Sequence, residues 1–299
     1  MYDVIIIGAG PTGLVLANLL GKIGVATRVI EQRDTLIDYP RGVGLDDESM
    51  RTFQSIDVVD SIEPFVVPNH KMRLVNGHGD VIMANDPKGT PLGWPRKLGF
   101  LQPLIDEQLM KNLDRFDSVS LTFGTELVGI REEEDSVVVT SQRADGTRED
   151  LVGRFVVGCE DGRSFTRKWI GAQFDGVSPS TRWVVIDVDN DPLGMPNVYL
   201  GADPKRPYVS IGLPRGVRRF EFMLFDDEPS EIVEDDDFVT KLLGDHLPPN
   251  TSLDVIRRRV FTHHGRIAST FRKGRVLIAG DAAHLMPVWM GQGFQLRCP

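Results

Sequence analysis

The sequence predicts a mixed α/β (α+β) fold, in which a Rossmann-like dinucleotide-binding domain is interleaved with a domain built on an antiparallel sheet. Residues 3–33 follow the order strand, glycine turn, helix, strand, which is typical of a βαβ unit. Strand patterns dominate residues 182–262, and a buried strand returns at 274–284. We therefore assign residues 1–65, 100–175 and 270–299 to the first domain and residues 66–99 and 176–269 to the second.

Composition argues against several classes of protein. The chain has 299 residues, of which 41% are hydrophobic and 26% charged, and no apolar run approaches the roughly 20 residues of a membrane span. It begins directly with a strand pattern and lacks the features of a signal peptide. Cys159 and Cys298 form neither a disulfide framework nor a metal-ligand cluster. Together with the formal net charge of −9, this predicts a cytoplasmic protein with no metal, membrane or nucleic-acid partner.

The glycine turn of the first unit has the spacing of a dinucleotide-binding motif. Gly8 permits a tight turn, Gly10 lets a phosphate approach the backbone, and Gly13 lets the helix pack closely on the strand. The amides at the start of that helix can hold a pyrophosphate. Glu31 ends the second strand and can accept hydrogen bonds from ribose hydroxyls, which argues against an NADP 2′-phosphate here. The motif alone does not distinguish FAD from NAD.

The middle of the chain predicts elements of both domains. After the βαβ unit come a loop with Arg41 and a helix that Asp46 or Asp47 could cap. Residues 64–99 look irregular, and 101–116 have a helical pattern. The remaining patterns are strands at 119–123, 126–133, 136–143, 154–164, 182–188, 207–213, 218–225 and 253–261, and a helix at 236–247.

Several segments together resemble the class A flavin-dependent aromatic hydroxylases, which share the p-hydroxybenzoate hydroxylase fold. The resemblance runs from residue 2 to about 294 and is carried by "YPRGVGLDDESMRTFQ", "GWPR", "LQPLIDEQL", "RPYVSIGLPRGVRRFEFM" and "GDAAHLMPVWMGQG". It implies bound FAD between a FAD-binding domain and a substrate-binding domain. It also implies that NADH and dioxygen serve to hydroxylate a phenolic acid ortho to its hydroxyl, in aromatic catabolism. A homo-oligomer is compatible with it.

The resemblance also implies roles for individual residues. Those matching the FAD adenosine, ribose and pyrophosphate site are Gly8, Gly10, Gly13, Glu31, Gln102, Gly280 and Asp281. Arg41 matches an arginine beside the flavin, and Pro287, Gly291 and Gly293 match the loop that lines the isoalloxazine, so we place these four at the catalytic centre.

One motif departs from the family pattern. In "CEDGRSFTR" (159–167), Glu160 and Asp161 stand where the family has aspartate and glycine. A residue other than glycine tolerates positive φ poorly, and an added carboxylate repels the phosphates of a nicotinamide cofactor. We therefore expect a strained or shifted turn at Asp161.

Two substrate contacts stay undecided between several residues. An acceptor for the phenol could be Tyr199, Tyr208, His263 or His264. An arginine for the substrate carboxylate could be Arg182, Arg206, Arg215 or Arg219.

The last residues also differ from the family. After Gly293 the family continues with asparagine, glycine and a long helix, whereas this chain reads "FQLRCP". We therefore expect the C-terminal part of the family fold to be absent and FAD affinity to be reduced. Two alternatives to a hydroxylase remain: a truncated, inactive remnant, and a flavin-dependent reductase or dehydrogenase without oxygen insertion.

Overall fold

The computed structural model describes residues 1–179, 181–252 and 254–287. The elements of its first half are β1 (Tyr2–Ile7), α1 (Pro11–Lys22), β2 (Thr27–Ile30), β3 (Gly44–Leu45), α2 (Asp47–Ser55), α3 (Val59–Ile62), β4 (Val66–Pro68), β5 (Met72–Asn76), β6 (Val81–Asn85), β7 (Leu98–Phe100), α4 (Gln102–Asn112), β8 (Val119–Thr122), β9 (Thr125–Glu132) and β10 (Val137–Arg143). Those of the second half are β11 (Arg148–Gly158), α5 (Phe165–Trp169), β12 (Phe174–Val177), β13 (Arg182–Val188), β14 (Val198–Ala202), β15 (Tyr208–Gly212), β16 (Arg218–Leu224), α6 (Asp236–Gly244), β17 (Val255–Thr262), β18 (Gly265–Ala268), β19 (Arg272–Lys273), β20 (Val276–Ile278) and β21 (His284–Leu285).

A mainly parallel sheet forms the first layer. Strands β20, β11, β1, β2 and β8 lie side by side in parallel, so their carboxyl ends meet at one edge. The three isoleucines of β1 (residues 5–7) are buried because apolar clusters cover both faces of the sheet. Ile6 packs with α1 and α4 on one face, and Ile5 packs with Val137 and Val276 on the other. The predicted βαβ unit is therefore confirmed.

An antiparallel sheet forms most of the second half of the chain. Its described strands run in the order β17, β13, β16, β15, β14, β5, β6, in which only the β14–β5 pair is parallel. Val184, Phe220 and Phe222 pack with Leu243 of α6, and we call this side the outer face. Residues that alternate with them, such as Asp187 and Arg219, lie on the opposite, inner face. The mixed α/β fold class is confirmed.

Two sequence-based expectations about the fold are wrong: the strand expected at 154–164 ends at Gly158, and residues 64–99 are not irregular. Residues 64–99 looked irregular, but they contain β4, β5, β6 and β7, and β5 and β6 extend the antiparallel sheet. Strand β6 is an edge strand whose five residues are all exposed, so no alternation of buried and exposed positions marked it. The expected cap of α2 is provided by Asp46, whose carboxylate accepts from the backbone N–H of Ser49. The domain boundaries themselves stay a prediction.

The loop of residues 38–42, which we call the Arg41 loop, lies against the inner face of the antiparallel sheet. Arg219 donates to the carbonyl oxygen of Pro40 at 2.9 Å. Arg257 donates to the carbonyl oxygen of Asp38 at 3.2 Å, and the guanidinium of Arg259 lies 3.8 Å from the centre of the Tyr39 ring. Three arginines of the antiparallel sheet therefore hold the Arg41 loop against its inner face.

Arg219 is itself held by a buried ion pair. Its Nε and Nη2 donate to the two carboxylate oxygens of Asp187 at 2.8 and 3.0 Å, and both side chains are less than 5% exposed. Burial acts to lower the pKa of Arg219, but the hydrogen bond and charge of Asp187, together with the charge of Glu221, raise the pKa overall. The guanidinium therefore stays charged inside the protein.

No helix within the described ranges is both long and apolar enough to cross a membrane.

We predict that Asp187→Ala destabilises the fold by about 3–5 kcal/mol, because it leaves the buried Arg219 charge without its partner. The free energy of unfolding, measured in urea, tests this. The matched control is Asp86→Ala, which removes the partner of Arg73 in a far more exposed pair of the same sheet and should change stability much less. Equal effects of the two substitutions would contradict the prediction.

Candidate functional site

The carboxyl ends of the parallel strands surround a cleft of about 400 Å³, which we call the dinucleotide cleft. Strand β1 leads into the glycine turn, β2 into Glu31, β11 into Cys159 and Glu160, and β20 into the Gly280–Asp281 turn. Because parallel strands present these ends at one edge, residues as far apart in sequence as Gly8 and Asp281 line one cleft.

The three glycines of the turn have different structural roles. Gly8 has φ of +105°, and a Cβ there would lie 2.7 Å from the carbonyl oxygen of Cys159. A Cβ on Gly13 would collide with the carbonyl oxygen of Gly8, so Gly13 permits the close approach of α1 to the turn. Gly10 has an ordinary φ of −76°, and a Cβ there would meet nothing within 4 Å. Gly8 and Gly13 serve the fold, whereas Gly10 keeps the space above the helix start clear.

The start of helix α1 suits an anion. The helix begins at Pro11, its N-cap residue Gly10 provides no side-chain cap, and its first turn contains no acidic residue. The positive end of the helix dipole therefore faces the dinucleotide cleft without a carboxylate of its own. A pyrophosphate fits this position.

Glu31 lies beside the glycine turn. Its Oε2 accepts from the backbone N–H of Ala9 at 2.8 Å, and its Oε1 accepts from the N–H of Arg33 at 3.0 Å. A carboxylate has about four acceptor positions, so these two bonds leave capacity for the hydroxyls of a ribose. The same side chain can therefore brace the turn and bind a sugar.

Arg41, Gln102 and Asp281 are brought together although the sequence separates them widely. Gln102 Oε1 accepts from the backbone N–H groups of Arg41 and Gly42 at 3.1 and 2.8 Å. The Arg41 side chain donates to Asp281 Oδ2 at 3.1 Å. Gly280, with φ of +61°, turns the chain beside α1, where a Cβ would lie 2.5 Å from Thr12 Oγ1. These contacts join both ends of the chain around the cleft.

Asp106 is a residue of the site that the sequence reasoning missed. It is 2% exposed, lines the dinucleotide cleft and accepts from Gln102 Nε2 at 3.1 Å. Burial raises the pKa of Asp106 to about 7, against the opposing effect of the Gln102 hydrogen bond. The signal was present in the sequence, since residues four apart on a helix share a face. Asp106 therefore orients the amide that holds the Arg41 loop.

The altered motif at 160–162 does not produce the strain that we expected. Asp161 does not belong to the described residues with positive φ, and its carboxylate accepts from the N–H of Arg163 at 2.8 Å. The longer side chain of Glu160 accepts from Ser164 Oγ at 2.8 Å and from the N–H of Thr166 at 3.1 Å. Position 161 has no positive φ and therefore does not require glycine, while Glu160 accepts hydrogen bonds from donors at the start of α5. Whether Asp161 repels a nicotinamide cofactor stays a prediction.

Arg167 joins this turn to the end of the chain that carries Asp281. It is 5% exposed and donates to the carbonyl oxygens of Gly162 and Ala282 at 2.6 and 3.0 Å. Arg167 is the last residue of the 159–167 motif, but the sequence analysis did not predict its two acceptors, because both are backbone atoms.

The remaining predicted site residues are only partly described. Pro287 is half-buried near Gly265, at which a Cβ would lie 3.4 Å from the proline ring. Gly291 and Gly293 lie outside the described residues, so their predicted place beside the isoalloxazine stays a prediction.

Most of the residues proposed as phenol acceptors or as carboxylate-binding arginines already contact other groups of the protein. The Tyr208 ring is tilted against the His246 ring with ring centres 4.0 Å apart, and Tyr199 pairs with Ser210, so both tyrosines lie on the outer face. His263 is buried edge-on to Trp183, and His264 hydrogen-bonds Ser178. Among the arginines, Arg182 donates to the 225–230 turn, Arg206 pairs with Glu228 and Arg219 pairs with Asp187. Arg215 is exposed, with its guanidinium 5.1 Å from the centre of the Phe65 ring.

A family model and the curated relatives assign the chain to the same family. Residues 1–296 match the family model described as "FAD binding domain". The chain is 55% identical over 292 residues to 3-(3-hydroxy-phenyl)propionate/3-hydroxycinnamic acid hydroxylase of Mycolicibacterium smegmatis, covering 98% of this chain and 52% of that protein. The same-named protein of Escherichia coli O81 is 44% identical over 292 residues, covering 98% and 53%. The chain therefore spans about half the length of the curated relatives it matches.

Solved structures show the same fold. The crystal structure of p-nitrophenol 4-monooxygenase from Pseudomonas putida DLL-E4 superposes with a TM-score of 0.90 at 25% identity, covering 98% of this chain and 75% of that one. A ternary complex of aklavinone-11 hydroxylase with FAD and aklavinone gives 0.87 at 24% identity, covering 99% and 60%.

We predict that Gly13→Ala destabilises the protein by about 1–3 kcal/mol or more, because the added methyl collides with a backbone oxygen. Gly10→Ala is the matched control within the same motif, and it should change the unfolding free energy by less than about 1 kcal/mol, since the methyl enters empty space at an ordinary φ. Urea unfolding of the cofactor-free chain compares them. Equal destabilisation would show that the turn does not have this geometry.

We also predict a pH-dependent stability that originates at Asp106. Its pKa rises from 3.8 in the unfolded chain to about 7 in the folded one, so the folded state holds the proton more tightly and loses stability as pH increases through that range. Between pH 5 and pH 8 the loss from this group is about 2–3 kcal/mol. Asp106→Asn should remove that part of the slope.

The measurement is the unfolding free energy of both proteins at the two pH values. Asp114→Asn, at an exposed position just after the same helix, is the control for the loss of one carboxyl group and should keep the wild-type slope. A wild-type slope in Asp106→Asn would contradict the prediction.

Proposed function

The chain belongs to the FAD binding domain family, and we propose that it binds FAD in the dinucleotide cleft as part of a flavin-dependent aromatic hydroxylase. The substrate would be a phenolic acid such as 3-(3-hydroxyphenyl)propionate, hydroxylated ortho to its hydroxyl with NADH and dioxygen. The chain spans about half the length of the relatives named for this activity, so the activity, its substrate and its co-substrates are proposals for this chain.

The observation that carries the proposal is the composition of the dinucleotide cleft. One cleft combines an uncapped helix start, space above Gly10, a sugar-binding carboxylate at Glu31 and the Arg41–Asp281 pair. An anion, hydroxyl groups and an extended ligand are all accommodated by these groups. The cleft fits a dinucleotide of the FAD type.

Each residue would have a distinct task. The start of α1 would bind the pyrophosphate, with Gly8 and Gly13 holding the turn and Glu31 accepting from the ribose. Asp281 would bind a further hydroxyl of the cofactor, with Gly280 setting the turn. Gln102 would keep the Arg41 loop in place by its two backbone hydrogen bonds.

Bound FAD would supply the redox chemistry and the activation of dioxygen. The protein's own contribution would be to orient the substrate and exclude water. The Arg41 loop lies between the dinucleotide cleft and the inner face of the antiparallel sheet, so an aromatic substrate on that face would lie beside Arg41. Pro287, Gly291 and Gly293 are proposed to complete the same region. Cytoplasmic location and the oligomeric state stay predictions.

We predict that the purified chain binds FAD and that Gly10→Glu weakens this binding at least roughly tenfold. The added carboxylate would occupy and repel the phosphate position, although the fold has room for it. Quenching of flavin fluorescence measures the affinity. Gly244→Glu is the matched control, because it places the same side chain at an equally unobstructed glycine on α6, far from the cleft. Unchanged FAD affinity in Gly10→Glu would contradict the proposed site.

Turnover distinguishes the proposed hydroxylase from the alternatives. With FAD supplied, we expect NADH oxidation that 3-(3-hydroxyphenyl)propionate stimulates, and a 2,3-dihydroxyphenyl product by mass spectrometry. NADH oxidation without that stimulation or product favours a flavin reductase or dehydrogenase. FAD binding without NADH oxidation favours an inactive remnant. The Mycolicibacterium smegmatis relative would serve as the positive control.

A further inference from the structure

On β14 and β15 the inner face of the antiparallel sheet is apolar, and the carboxylate of Glu221 on β16 lies beside this apolar area. Val198, Leu200, Val209 and Ile211 alternate with outer-face residues on β14 and β15, and all four are half-buried. Glu221 of β16 stands directly between Val209 on β15 and Val185 on β13. A carboxylate flanked by two valines is unusual on such a surface, since apolar neighbours give it no compensation.

Glu221 has no hydrogen-bond partner of its own. Within the described residues, none donates a hydrogen bond to its carboxylate, whereas Arg219 uses its guanidinium on Asp187 and on the Pro40 carbonyl oxygen. Burial raises the pKa of Glu221, and the charge of Asp187 adds to the rise, while the charge of Arg219 opposes it. A carboxylate with a raised pKa is a stronger hydrogen-bond and proton acceptor than an ordinary one. The group is therefore available to a ligand.

Its position relative to the Arg41 loop defines where such a ligand would lie. Val185 pairs with Glu221 on one side and with Arg259 on the other, and Arg259 contacts Tyr39. Arg219, two residues before Glu221 on the same face, bonds to Pro40. Glu221 is thus at the border of the surface that the Arg41 loop contacts, next to the half-buried row of Val209 and Leu200.

We propose that Glu221 accepts the hydrogen bond of the substrate's phenolic hydroxyl while the aromatic ring lies on Val209 and Leu200. This assignment rests on the proposed function. Covering a carboxylate with an apolar ring costs free energy when the carboxylate has no hydrogen-bond donor. A phenol supplies that donor, whereas a ring without a hydroxyl does not. Repulsion between carboxylates directs the acid end of the substrate away from Glu221.

The positions of other candidate acceptors for the phenol hydroxyl are consistent with this role of Glu221. Tyr199 and Tyr208 lie on the outer face, and His264 already contacts Ser178. Glu221 is the inner-face group that combines an acceptor, a missing donor and an apolar surround. Selectivity for a hydroxylated ring would then come from one half-buried acceptor, because an analogue without the hydroxyl leaves that acceptor without a donor.

The test compares the binding of two ligands to the full chain with FAD supplied. 3-(3-Hydroxyphenyl)propionate and 3-phenylpropionate differ only in the hydroxyl, and calorimetry gives the dissociation constant of each. We expect the wild type to prefer the hydroxylated acid at least roughly tenfold. Glu221→Leu should lose this preference while it keeps or improves binding of 3-phenylpropionate. Glu221→Gln, which keeps a neutral acceptor, should show an intermediate preference.

Two controls keep the outcome interpretable. Glu231→Gln, at an exposed position before α6, should behave as the wild type. On the wild type alone, the methyl ether 3-(3-methoxyphenyl)propionate cannot donate a hydrogen bond and should bind no better than 3-phenylpropionate, which tests the idea even if a variant fails to fold.

The outcomes separate the inference from the proposed function. A wild-type preference that persists in Glu221→Leu, or a wild type that binds both acids equally, overturns the role of Glu221 and leaves the proposed function in place. A wild type that binds neither acid overturns the proposed substrate class and the inference with it.

Discussion

The close approach of helix α1 to the glycine turn is the constraint on which the rest of the structure depends. It exists because Gly13 has no side chain to collide with the Gly8 carbonyl oxygen. With α1 held there, its uncapped start faces the edge at which the parallel strands end. The turn also contacts the segments that follow β2 and β20, through Glu31 and Gly280. A methyl group on Gly13 would push helix α1 away from the turn and would disturb the contacts of Glu31 and Gly280.

The Arg41 loop connects this edge to the antiparallel sheet. On one side its backbone is held by Gln102 and its side chain by Asp281; on the other side Arg219 holds its Pro40 carbonyl oxygen. The buried pair of Arg219 with Asp187 is costly to desolvate, but its geometry is bidentate and fixes the guanidinium toward the loop. A ligand that displaces the loop would therefore disturb contacts with both the dinucleotide cleft and the antiparallel sheet.

Acidic groups around the cleft differ in how the fold uses them. Glu31 and Glu160 accept backbone amides, and Asp281 pairs with Arg41, so their charges are compensated locally. Asp106 has only the Gln102 amide, and burial holds its pKa near neutrality. An anionic cofactor therefore meets less uncompensated negative charge than the number of carboxyl groups suggests. This balance is compatible with a chain whose net charge is −9.

The sequence by itself determined the βαβ unit, strands β13, β15, β16 and β17 of the second sheet and the positions of Gly8, Gly10, Gly13 and Glu31, because these depend on local periodicity and on spacing within one unit. It missed β5, β6 and β14, and β6 is an edge strand whose exposed residues leave no burial pattern. It also expected strain at Asp161, but the φ of that residue is not positive. Tertiary structure alone decided which distant residues meet: Arg41 with Asp281, Arg167 with Ala282, and Glu221 with an apolar inner face. Those contacts depend on strand order and on which face each strand turns inward, and neither is encoded within any short segment.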